Sequence, residues 1–343
     1  MRAKVMIILG SGSDLKIAEK CIDKLEELKI PYDFKISSAH RTHQKVKYDV
    51  IEGTKRGIEV FIAIAGLAAH LPGVIASFTH RPVIGVPVES KFDGLDALYS
   101  CVQMPFPAPV ATVGIDRGDN AAILAAEIIG TYDKDMRERI HNLRVSYKNK
   151  VYSSEKEILN KLNGNYIEKD FLPYDFDEIE VKVNENLDVD PLPPEECPNI
   201  ALILGSNSDM SIAKKTSTLL DRMKISYDLT VLSPIRHPKK FQEHMIKMKN
   251  AKLFIGVSGL SSQVTGSIAG YSERVIIGVP CDIELVGNDS LLSMVSMPTG
   301  APVATVGINN SKNCGILAGE ILAISDKKIE KELTRLKYKT ANI

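Results

Sequence analysis

One string of eight residues occurs twice in this chain. Ala-Pro-Val-Ala-Thr-Val-Gly-Ile fills positions 108–115 and returns unchanged at 301–308, an offset of 193. The opening run Val5–Asp14 is likewise echoed by Ile200–Asp209, where Gly10 matches Gly205 at an offset of 195. The second copy has therefore lost two residues between these points, and the loop before Leu253 is where the loss is expected. Identity of this length inside matching apolar runs indicates a duplicated domain rather than a solenoid of short repeats. A length of 343 residues suits two such domains.

Within each copy, apolar runs alternate with helical patterns. Val5–Leu9 is continuously apolar, as a strand buried on both faces must be. Gly10–Asp14 forms a turn, and Leu15, Ala18, Ile22, Leu25 and Leu28 then recur at helical spacing. Pro31 closes that helix and a strand follows from Tyr32. A polar helix near 43–56, strands at Val60–Ile64, Val83–Val88 and Val110–Ile115, and helices at Val74–Phe78 and Asn120–Ile129 complete the unit. This alternation predicts an α/β fold in which a parallel sheet carries helices on both faces. A charged helix at 131–150 closes the first copy. Residues 151–198 read as an acidic, Pro-containing linker with one short helix at Glu155–Leu162, and 199–343 form the second copy.

Composition excludes several classes of function. With 43 basic and 43 acidic residues there is neither net charge nor a basic stripe for coating nucleic acid. No apolar stretch approaches the roughly 20 residues that cross a membrane. The first strand begins too early for a secretory leader, so a cytoplasmic location is expected. Five dispersed cysteines, without a Cys-x-x-Cys pair, read as reduced thiols rather than a disulfide framework or zinc cluster.

The chemistry concentrates at strand ends. Ser38-Ala39-His40-Arg41-Thr42 places an imidazole, which titrates near neutrality, beside a fixed cation. A His-Arg pair in a loop is more often a solvated surface feature, so its neighbours decide. Ser11-Gly12-Ser13-Asp14 offers hydroxyls, free N–H groups and a carboxylate at a helix start, which suits a phosphate with Asp14 turned to a ribose hydroxyl or a protonated ring group. The bland alternative is that Ser13 or Asp14 merely caps the helix. Gly66 to Pro72 follows the third strand. In a parallel sheet all three loops share one edge and can surround one ligand, which suggests a phosphorylated small molecule with its reacting end at His40.

These motifs, together with Ala65-Gly66-x-Ala68-Ala69-His70-Leu71-Pro72-Gly73, Pro82–Val88 and Gln103-Met104-Pro105, resemble in order those of the PurE family of purine biosynthesis. The resemblance covers 1–150 at full strength and 199–325 as a diverged copy. It implies two flavodoxin-like three-layer domains, no metal and no organic cofactor. The implied product is 4-carboxy-5-aminoimidazole ribonucleotide (CAIR). His40 would be the general acid/base. Ser11, Ser13, Asp14, Ser38, Ala39, Arg41, Gly66, Ala68, Ala69, His70 and Leu71 would bind the aminoimidazole ribonucleotide and CO2. His70 either lines the pocket or only orders its loop. The Ala-His-Arg-Thr and Ala-Ala-His-Leu-Pro-Gly sequences are similar to the branch that moves a carboxylate from N5 to C4 of N5-carboxyaminoimidazole ribonucleotide (N5-CAIR). The tandem arrangement departs from that branch and leaves direct carboxylation by CO2 open. Single-domain relatives form octamers, which implies a homo-oligomer of four tandem chains.

The second copy keeps Ser206, Ser208, Asp209 and Arg236 but has Ile235 at the His40 position and Ser261-Ser262-Gln263-Val264-Thr265 at that of Ala68–Pro72. It is predicted to be catalytically silent. Two other classes compete: a ribonucleotide sensor without turnover, and a flavin carrier, which the absence of aromatic residues from the strand-end loops disfavours.

Overall fold

A computed structural model of the chain describes residues 2–162, 187 and 189–341. The first copy runs β1 (Val5–Leu9), α1 (Leu15–Glu27), β2 (Tyr32–Ile36), α2 (His43–Arg56), β3 (Val60–Gly66), α3 (Leu71–Phe78), β4 (Val83–Val88), α4 (Leu95–Val102), β5 (Ala111–Thr112), α5 (Gly118–Gly130) and α6 (Lys134–Lys161). The second runs β6 (Ile200–Leu204), α7 (Met210–Arg222), β7 (Tyr227–Val231), α8 (Pro238–Lys247), β8 (Leu253–Ser258), α9 (Gln263–Tyr271), β9 (Val275–Pro280), α10 (Asn288–Val295), β10 (Ala304–Thr305), α11 (Ser311–Leu322) and α12 (Lys327–Ala341).

Each copy builds a parallel five-stranded sheet, in the order β2-β1-β3-β4-β5 and its equivalent, which is the doubly wound flavodoxin-like order. All five residues of β1 are buried because helices cover both faces of the sheet. On one face Ile17, Ala18, Cys21 and Leu25 of α1 pack with α5. On the other, Val46 and Val50 of α2 and Ile75 of α3 close a second core.

The two sheets join edge to edge. Thr112 of β5 pairs with Thr305 of β10 in an antiparallel register, giving ten strands in one sheet with a pseudo-two-fold at its centre. Leu98 and Val102 of α4 pack against Leu291 and Val295 of α10 across that junction. Asn120 Nδ2 donates to the carbonyls of Met297 and Pro298 at 3.2 and 3.0 Å, and Asn313 Nδ2 returns the contact to Met104 and Pro105 at 2.9 and 3.2 Å.

The structure corrects several expected boundaries. The strand expected at Val110–Ile115 is regular only over Ala111 and Thr112; Val113 N and Asp116 N still donate to the Gly85 and Pro87 carbonyls of β4, and the chain turns at Asp116, whose φ is 58°. α3 begins at Leu71 rather than Val74, since Pro72 in a first helical turn gives up no bond. The two-residue loss falls within a helix: α8 has 10 residues where α2 has 14, and the loop before Leu253 is longer, not shorter. The helix expected to end at 150 continues to Lys161 and absorbs the short helix read at Glu155–Leu162. The acidic run Asp175–Glu180 lies outside the described residues. Among the described residues, no helix is long and apolar enough to cross a membrane. All five cysteines are free thiols, and four of them are buried.

Candidate active site

The loops leaving β1, β2 and β3 surround one cavity of about 650 Å³. The loop after β2 is laced to itself: Ser38 N donates to Thr42 Oγ1 at 2.8 Å and Arg41 N to Ser38 Oγ at 3.2 Å. This holds His40 and Arg41 on the cavity side. Arg41 Nη2 reaches the Gly10 carbonyl at 3.5 Å, which binds the second loop to the first.

In the first loop, Ser11 caps the short helical turn that precedes α1, accepting from Ser13 N at 3.4 Å, while Asp14 holds the N-cap position of α1 itself. Asp14 makes no side-chain capping bond; its carboxylate accepts from Ser13 Oγ at 2.8 Å and otherwise faces the cavity. Free N–H groups, hydroxyls and a guanidinium at one helix start form an anion cradle, while Asp14 supplies an acceptor for a hydroxyl.

The third loop turns tightly. Ala69 N donates to the Leu67 carbonyl at 2.8 Å and His70 N to that of Ala68 at 2.7 Å, with Leu67 at a φ of 54°. The turn brings His70 Nδ1 to 2.9 Å from His40 Nε2, the two rings meeting edge to face. Of the two roles open to His70, lining the pocket is the one the geometry supports.

Of the residues expected at the site, His40, Ser11, Ser13, Asp14, Ser38, Ala39, Arg41, Gly66, Ala68, His70 and Leu71 line the cavity. Ala69 does not. It is 1% exposed and packs into the core beneath α3, because the turn sends it to the face opposite Ala68 and His70. Leu67, Ser90 and Lys91 also line the wall and were missed. Ser90 Oγ accepts from Leu67 N at 3.1 Å and so props the third loop, and Lys91 adds a second cation. The available signal was position: Ser90 and Lys91 follow β4, whose C-terminal end meets the same sheet edge.

A family model described as AIR carboxylase matches residues 4–150 and 199–342. The chain belongs to the AIR carboxylase family. A probable N5-carboxyaminoimidazole ribonucleotide mutase of Methanothermobacter thermautotrophicus is 54% identical over 340 residues, covering 99% of either chain, so the tandem form is shared. The N5-carboxyaminoimidazole ribonucleotide mutase of Methanocaldococcus jannaschii is 53% identical over 154 residues, which are 45% of this chain and 96% of that one. The solved structure of Treponema denticola PurE is 32% identical, covering 45% of this chain and 96% of that chain with a TM-score of 0.42.

The second AIR carboxylase copy carries a smaller cavity, about 380 Å³. Its cradle survives: Ser206 caps the turn and Arg236 Nη2 donates to the Gly205 carbonyl at 2.6 Å. Its two histidine positions do not. Asp209 turns inward to accept from Ser206 N at 3.1 Å in a capping box, and burial pushes its carboxyl above the ordinary range. Ile235 and Gln263 replace the two histidines. Where the first copy has Ser90, Ile283 packs so close that a Cβ on Gly259 would lie 2.3 Å from its Cγ1.

Proposed function

We propose that the chain is a cytoplasmic enzyme that forms CAIR by moving the carboxylate of N5-CAIR from N5 to C4 at the first-copy cavity. The reading rests on the joined His40 and His70 rings beside an anion cradle, together with the relative of that activity whose whole length this chain matches.

The reaction is an isomerisation. The bond from N5 to the carboxyl carbon breaks, releasing CO2 and leaving N5 to take a proton. C4 then attacks that CO2, and the proton it loses restores the balance. One group that both gives and takes a proton serves both halves, and His40 has that role. The nitrogen contact with His70 holds the ring, since a hydrogen bond there fixes which nitrogen carries the proton. Ser11, Ser13 and Arg41 hold the phosphate, and Asp14 accepts from a ribose hydroxyl. CO2 is retained by a small-residue wall in which Ala39 is buried and Ala68 faces the cavity.

The second copy holds the sheet junction and does no proton chemistry. We assign the working form to four chains presenting eight domains. Light scattering that finds a monomer would remove that assignment without touching the chemistry.

The deciding experiment follows CAIR absorbance from N5-CAIR at low CO2, and separately from aminoimidazole ribonucleotide with bicarbonate. Product from N5-CAIR is expected. Product only from aminoimidazole ribonucleotide, rising with CO2, would make the chain a direct carboxylase, and binding without product would make it a sensor.

A further inference from the structure

α6 and α12 each pack on their own copy and reach across the junction to the other, and the offset of 193 relates them residue by residue. Arg144 Nη2 reaches the Ser272 carbonyl at 3.4 Å, and Lys337 Nζ reaches the corresponding Thr79 carbonyl at 3.4 Å. The grooves beside these contacts are equivalent in backbone but differ in how one arginine is paired. Beside α12, Arg81 Nη2 pairs with Glu330 Oε1 at 3.7 Å. The same two positions beside α6 hold Arg274 and Arg137, so a cation stands where the acid should be.

Arg137 Nη1 donates to the Gly130 carbonyl at 2.8 Å. Among the described residues, the Arg274 guanidinium has no hydrogen-bond acceptor or carboxylate within contact distance; only its backbone N–H is used, donating to Ser272 Oγ at 3.1 Å. Burial, and then the charge of Arg137, hold that guanidinium below its ordinary value, and the nearby charge of Glu273 opposes them only in part. The surrounding groove is about 620 Å³, within the range of small-molecule sites. Six Lys or Arg side chains line it against two carboxylates, Glu138 and Glu273, and Glu273 is already engaged by His141 Nδ1 at 3.0 Å. A partly buried like-charge pair in such surroundings requires a counter-charge.

We propose that this groove is an anion site, in which the oxygens of a phosphate-bearing small molecule bridge the Arg137 and Arg274 guanidiniums. Arginine is suited to this, since its planar fork meets phosphate oxygens in pairs. Lys134 and Lys249 add charge at the rim and the exposed ring of Tyr271 forms one wall. The groove is built by α6, the end of α9 and the start of β9 and shares no lining residue with the cavity at His40, so a ligand there leaves the reaction cavity open.

The test is calorimetric titration of inorganic pyrophosphate into the full chain carrying Arg41→Ala and Arg236→Ala, which disable both strand-end cradles. One site per chain is expected, weakened by about tenfold or more on adding Arg137→Glu, the scale of a lost charge-assisted contact. That substitution recreates the Arg81–Glu330 arrangement, so the groove still folds. Arg274→Ala, with an unchanged circular dichroism spectrum, should weaken binding to the same degree. No binding by the parent, or equal binding by Arg137→Glu, would overturn the proposal. So would binding that appears only when the acidic residues of 170–180 are neutralised, which would give the groove to the chain's own sequence.

Discussion

His40 Nε2 and His70 Nδ1 lie 2.9 Å apart on two loops separated by 30 residues. A contact of this kind needs one protonated and one bare nitrogen, so the state of each ring sets that of the other. His40→Ala is expected to lower kcat by about 10²–10⁴, the span of general acid/base catalysis. His70→Ala should cost about tenfold to a hundredfold through lost positioning. Because the pair acts as a unit, the double variant should be no slower than His40→Ala. Rates that multiply would show the two rings working independently.

The second cavity should resist repair by its most obvious change. Installing Ile235→His in a His40→Ala chain is predicted to restore no turnover, because Asp209 is committed to Ser206 N and Ile283 fills the space beside Gly259. Recovery to within tenfold of the wild-type rate would show that the missing imidazole was the whole deficit.

The junction depends on a reciprocal pair of amides. Asn120 is 1% exposed and also accepts from Gly300 N at 3.0 Å, so truncation strands the Met297 carbonyl and an N–H, while the Pro298 carbonyl keeps the Ala301 N–H. Asn120→Ala and Asn313→Ala should each destabilise by about 1–3 kcal/mol, read as a lower denaturant midpoint at constant slope. A midpoint unchanged in either variant would mean that water replaces the amide.

Glu320 makes stability depend on pH. Burial raises its carboxyl from the ordinary 4.5 to about 7, against the attraction of Lys337, which donates to it. A carboxyl raised in the folded state binds its proton more tightly there. Its contribution is therefore full below pH 4.5 and is lost as pH rises to about 7. Lys337→Met removes the compensating cation. The loss of unfolding free energy should therefore be small at pH 5 and larger at pH 8, approaching about 3–5 kcal/mol for an unpaired buried charge. An equal loss at both pH values would contradict the burial argument.

Much of this molecule was legible in order along the chain. Apolar runs such as Val5–Leu9 mark strands because a parallel strand buried on both faces leaves no polar positions. The 108–115 repeat marks the duplication, and Ser38–Thr42 with Ala65–Gly73 mark the site and its family. What stayed hidden depends on distance across the fold. Ser90 and Lys91 carry no motif and enter the site only because β4 ends at the shared edge. The direction of Ala69 was set by a turn of three residues, which spacing alone does not resolve. The copies meet through Thr112 and Thr305 of the two identical strings, a junction held by Asn120 and Asn313, each reaching carbonyls of the other copy. Sequence determined which residues could be buried and which chemistry was present. Tertiary structure decided which charges meet, since Arg274 faces Arg137 only when α6 lies across the other copy.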